Sequence, residues 1–94
     1  MRILVVEDET RLADLIKRGL THEGHAVDLA GDGEEGLDWV SAATYDVIVL
    51  DIMLPGISGL EVCRVLRQRQ VTTPILLLTA RDAVPDRVAG RDAG

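Results

Sequence analysis

The chain has no phenylalanine, one tryptophan and one tyrosine, so its core must be built from aliphatic side chains. One cysteine, Cys63, excludes an internal disulfide. No apolar run approaches the roughly 20 residues needed to cross a bilayer, and the opening stretch from Met1 to Glu7 is far too short for a signal peptide. A cytoplasmic protein with no membrane partner is therefore expected. Positive charge is also scarce: 10 Lys and Arg stand against 16 Asp and Glu, a net charge of -6. Gripping nucleic acid needs a surplus of the opposite sign, so no nucleic-acid contact is expected from this domain itself. Acid in clusters invites a hard cation instead.

The 94 residues suffice for one core, read here as a single domain over 1–94, and 47% hydrophobic with 28% charged residues excludes a disordered chain. The organising stretch is Val47-Ile48-Val49-Leu50-Asp51-Ile52-Met53-Leu54-Pro55-Gly56. Four branched residues in a row, bounded by turn chemistry, read as a strand buried on both faces. Their burial contributes about 6 to 12 kcal/mol, as an upper bound. Asp51 stands where that rigid element ends. A carboxylate there either caps the following turn or does chemistry, because ligands of open α/β sheets bind at the C-terminal ends of strands.

Ile3 to Val6 forms a second such run and ends in Glu7-Asp8-Glu9. The spacing of Leu12, Leu15, Ile16, Gly19 and Leu20 predicts a helix over about Arg11 to Glu23, capped by Thr10 or Asp8 and ended by Gly24. His22 in its last turn reads as a partner for the helix C-terminus rather than a ligand, since no second His or Cys stands at metal spacing. Ala26 to Ala30 reads as a strand at the sheet margin, Gly31-Asp32-Gly33 as a turn, and Gly36, Leu37, Val40 and Ala43 as the stripe of a weaker helix with Trp39 as partial cover. Ser58 is placed as an N-cap with Glu61 at the capping-box position, opening a third helix to about Arg69. Val62, Cys63 and Leu66 face inward, Cys63 as a small buried hydrophobe, while Arg64, Arg67 and Arg69 form a solvated face. Pro74 to Ala80 reads as a fourth strand ending on the Thr79 hydroxyl, and Asp82 as the cap of a fourth helix with Val84 and Val88 inward and Pro85 in its first turn.

Strand and helix alternating four times predict an α/β, doubly wound, flavodoxin-like parallel sheet of order 2-1-3-4. That order brings Glu7, Asp8 and Asp51 to one edge, with Thr79 on the next strand. Three neighbouring carboxylates raise one another's pKa unless a cation intervenes. Asp8, Asp51, Glu7 through water and the carbonyl of Met53 suit Mg²⁺, and such a carboxylate with a hydroxyl nearby is a phosphoryl-transfer layout.

Val5-Val6-Glu7-Asp8-Glu9, Val49 to Gly59 and Pro74-Ile75-Leu76-Leu77-Leu78-Thr79-Ala80-Arg81 resemble, in order and spacing, the receiver domain of bacterial two-component response regulators, OmpR/PhoB type. The resemblance implies the CheY-like fold and makes Asp51 the phosphoacceptor for a sensor histidine kinase. It implies that Glu7, Asp8 and the Met53 carbonyl hold Mg²⁺ and that Thr79 and the Ala80 amide contact the phosphoryl oxygens. It also implies Mg²⁺-dependent self-phosphorylation rather than a turnover enzyme, and a transcription regulator as the intact protein. A receiver normally adds a fifth strand bearing a lysine and a fifth helix; this chain reaches neither, and Lys17, its only lysine, is on the first helix. Arg91 stands where an apolar residue is expected.

An uncovered fourth strand would solicit another strand, so a homo-oligomer or a strand-completing partner through the fourth strand and helix is expected. The alternative function is a self-associating or decoy fragment impaired in phosphorylation. A phosphatase of the haloacid dehalogenase type is disfavoured, because Met53 occupies the place of that family's second aspartate.

Overall fold

Residues 1–78 are described by the computed structural model. Their runs of branched side chains become strands β1 (Arg2–Val6), β2 (Ala26–Ala30), β3 (Val47–Asp51) and β4 (Ile75–Leu78). Between them lie helices α1 (Thr10–His22), α2 (Gly33–Ala42) and α3 (Gly59–Gln68). All strand pairs are parallel and the order is β2-β1-β3-β4, the one expected from the alternation. Side-chain alternation along β1 and β3 divides the core between the two faces of the sheet. Leu4, Val6, Ile48 and Leu50 pack with Val62 and Leu66 of α3 on one face. Ile3, Val5 and Val49 pack with Ile16 and Leu20 of α1 on the other.

The helix starts depart from the sequence reading in small, explicable ways. Glu9, rather than Thr10 or Asp8, caps α1: its Oε1 accepts from the Leu12 amide at 2.9 Å. Asp32 caps α2 through a 2.8 Å bond from the Glu35 amide, so Gly33 already belongs to the helix rather than to the preceding turn. Ser58 caps α3 as expected, accepting from the Glu61 amide at 3.2 Å. The Glu61 carboxylate turns to Arg64 in place of closing the box.

Leu15, assigned to the buried stripe of α1, is 65% exposed. At about 100° per residue it lies roughly a third of a turn away from the seam formed by Ala13, Ile16 and Leu20, outside what β1 and β2 cover. Cys63 is half-buried, packed against the core from its margin. Arg64, Arg67 and Arg69 are all solvated as expected, and Arg67 also donates to the carbonyls of Val71 at 2.7 Å and Thr73 at 3.0 Å and so pins the connection to β4. Within the described residues β2 and β4 are the sheet margins, and Leu76 on β4 is 58% exposed. The end of the fourth strand at Thr79 and Ala80, the helix capped by Asp82 and Arg91 lie outside the described residues.

Two helices end in the same motif. At α1 the Gly24 amide reaches the Thr21 carbonyl and the His25 amide reaches that of Leu20; at α3 the Gln70 amide reaches Arg67 and the Val71 amide reaches Leu66. Both motifs need a left-handed residue after the cap, supplied by Gly24 at φ 93° and by Gln70 at φ 65°. A side chain there is strained, by about 1 kcal/mol. Gln70→Gly should therefore raise stability by about 0.5 to 1 kcal/mol, read as a higher urea midpoint with unchanged slope.

Candidate functional site

β1 and β3 run side by side with Val6 opposite Leu50, so the residues that follow, Glu7 and Asp51, emerge together at the C-terminal edge of the sheet. Glu7 is 3% and Asp51 4% exposed, whereas Asp8 is open to solvent. One carboxylate oxygen from each of Glu7, Asp8 and Asp51 lies within 4.8 Å of the other two. More than forty positions of sequence thus close into one acidic site.

Backbone amides fix the two buried acids. The Glu9 amide donates to Glu7 Oε2 at 2.9 Å, and the Met53 amide donates to Asp51 Oδ1 at 2.9 Å. Asp51 therefore does cap its own turn. That use of one oxygen orients the carboxylate without removing it from the cluster, so the capping and chemical readings of Asp51 are compatible. The strand end is held in turn by the Ile52 amide donating to Leu78 at 3.1 Å and the Gly59 amide donating to Ile52 at 3.0 Å.

Gly59 is a residue whose importance the sequence reading missed. A Cβ at this position would meet the Asp51 carbonyl oxygen, and would lie 2.8 Å from Ile52 Cα and 2.9 Å from the Asp51 carbonyl carbon. All are backbone atoms that cannot swing aside. The first turn of α3 can approach the end of β3 only because position 59 has no side chain. Nothing local marks this contact, since it joins two elements across the Pro55-Gly56 turn. Gly59→Ala should cost at least about 1 to 3 kcal/mol, seen as a lower urea midpoint.

The cluster is electrostatically unfavourable as it stands. Burial pushes the Glu7 carboxyl above its ordinary range, as do the Asp51 and Asp8 charges and a hydrogen bond to Asp51; the Glu9 amide opposes this only in part. A raised folded pKa means that the native state holds a proton that the unfolded chain has released. Glu7 thus opposes folding at neutral pH, and the penalty fades as pH falls through the raised value towards 4.5 and below. Glu7→Gln should stabilise the metal-free protein at neutral pH and flatten this part of the pH dependence. Thermal midpoints of both proteins in chelator from pH 7 downward check it.

A cleft of about 320 Å³ opens beside Glu7 between α1 and the end of β2, lined also by Thr10, Arg11, Ala13 and Ala30. Of the three acids, Glu7 lines this cleft.

Residues 3–94 match the response regulator receiver domain family. The chain belongs to that family. Over all 94 residues it is 55% identical to the transcriptional regulatory protein TcrA of Mycobacterium tuberculosis and 51% identical to the response regulator MprA of Mycobacterium avium. It spans 37% and 41% of those relatives, respectively. ArlR of Staphylococcus epidermidis is 51% identical over 92 residues, 98% of this chain and 42% of the relative. The chain covers about two fifths of the length of these relatives.

Among solved structures, the response regulator TrrA of Thermotoga maritima in complex with Mg²⁺ and BeF superposes with TM-score 0.80 at 47% identity, covering 84% of this chain and 69% of that one. The complex of the histidine kinase ThkA with TrrA matches with TM-score 0.80 at 44% identity, covering 92% and 75%. This domain is therefore a CheY-like response regulator receiver domain, and these matches favour that reading over the decoy fragment. No helix among the described residues is long and apolar enough to cross a membrane.

Proposed function

We propose that this receiver takes a phosphoryl group on Asp51 from a phosphohistidine of a sensor histidine kinase. The observation that carries the proposal is the meeting of Asp51 with Glu7 and Asp8 at the end of β3, in oxygen positions within 4.8 Å of one another. An all-carboxylate donor set, two members of it buried, suits a hard divalent cation. Glu7, Asp8, Asp51 and the Met53 carbonyl would hold Mg²⁺. Bound there, the cation would offset charge on the oxygens of the transferring group.

In the step itself, a carboxylate oxygen of Asp51 forms a bond to phosphorus as the bond from phosphorus to the kinase imidazole breaks. The imidazole leaves with the electron pair, and an acyl phosphate remains on Asp51. The Met53 amide, held on the other oxygen, keeps the carboxylate from rotating away. Thr79 and the Ala80 amide, beyond the described residues, belong to the same proposal as contacts for the phosphoryl oxygens.

The intact protein would act as a cytoplasmic transcription regulator whose DNA contacts lie outside this acidic domain, with residues 1–94 forming the switch. The place of β4 at the margin of the sheet among the described residues supports pairing of that margin with a further strand, from a second copy or a strand-completing partner.

Incubation with acetyl phosphate and Mg²⁺ should add one phosphoryl group by intact mass, and both Asp51→Ala and excess chelator should abolish it. Unmodified wild-type protein, or equal modification of Asp51→Ala, would overturn the assignment.

A further inference from the structure

The chain carries three oxidisable sulfurs, in Met1, Met53 and Cys63. Cys63 is half-buried against the core. Met1, 61% exposed, precedes β1 at the edge of the sheet remote from the acids. Met53 is 53% exposed and belongs to the acidic site, since its own amide holds Asp51 Oδ1 at 2.9 Å. An accessible thioether thus stands two positions beyond the proposed phosphoacceptor, while the thiol is set back from solvent.

We propose that Met53 is an oxidation site through which hydroperoxides slow phosphorylation of Asp51, an inference that rests on the phosphoacceptor reading above. A sulfur lone pair attacks one oxygen of hydrogen peroxide and the bond between the two oxygens breaks. The departing hydroxide takes the proton from the oxygen now bound to sulfur and leaves as water; sulfur loses two electrons and the peroxide gains them. The product is a sulfoxide, whose oxygen accepts hydrogen bonds and donates none. It replaces an apolar group on the residue whose amide holds Asp51, one of three carboxylates crowded within 4.8 Å, where the incoming donor is an anion. One more partial negative charge there opposes that approach.

The test treats the whole chain with hydrogen peroxide, maps the sulfoxides by peptide mass, and measures the initial rate of phosphorylation by acetyl phosphate with Mg²⁺. Oxidation at Met53 should lower the rate about two- to fivefold, the scale of one charge–dipole contact at an exposed site. Methionine sulfoxide reductases should restore it. Met53→Leu, compared with its own untreated rate, should be insensitive to peroxide although Met1 still oxidises. A Met53 that stays reduced while Met1 oxidises, an unchanged rate after Met53 oxidation, or equal loss in Met53→Leu would overturn the proposal. Untreated protein that takes up no phosphoryl group would overturn the phosphoacceptor reading and this inference with it.

Discussion

The parallel register of β1 on β3 is the constraint on which the rest of the molecule depends. With Val6 opposite Leu50, each strand delivers its next residue, an acid, to the same lip of the sheet. A slip of one residue would send Glu7 and Asp51 to different depths and turn every side chain of one strand to the wrong face. The aliphatic core is what prevents the slip. Leu4, Val6, Ile48 and Leu50 are all 1% exposed or less, and a slip would exchange them for the differently shaped side chains packed on the other face, breaking the fit of that layer.

The burial that enforces this register also makes the site costly. Two carboxylates at the end of a hydrophobic layer lose much of their hydration and face each other's charge, and the Glu7 proton is held more tightly as a result. Backbone amides from Glu9 and Met53 offset part of that cost. A folded protein with this arrangement is poised to gain from any divalent cation or proton that enters, which couples its stability to occupancy of the site. Gly59 shows how tightly the scaffold closes behind it: α3 starts so near the end of β3 that even a methyl group has no room.

The repeat of strand and helix, the aliphatic core, the strand order and the meeting of three acids were all legible in the residues, because each rests on strong one-dimensional signals. Runs of branched residues, a helical stripe and turn chemistry repeat at fixed spacings. The resemblance of three motifs then pointed to the family to which the chain belongs. Less legible were features set by one or two atoms. Glu9 won the cap of α1 over Thr10 and Asp8 because its carboxylate reaches the Leu12 amide while its own amide is held by Glu7. Leu15 carries an apolar side chain that the sheet does not cover, and Arg67, while exposed, bonds the carbonyls of the next connection.

By itself the sequence determined which residues are apolar, at what period they recur, and that acids follow two of the buried runs; these properties belong to the chain in any conformation. Tertiary structure alone decided that the Glu7 proton is held tightly and that position 59 admits no side chain. Each depends on atoms from elements distant or separately turned in sequence coming within a few ångströms. Local pattern carries no record of such distances, because they are set only when the two faces of the sheet are packed.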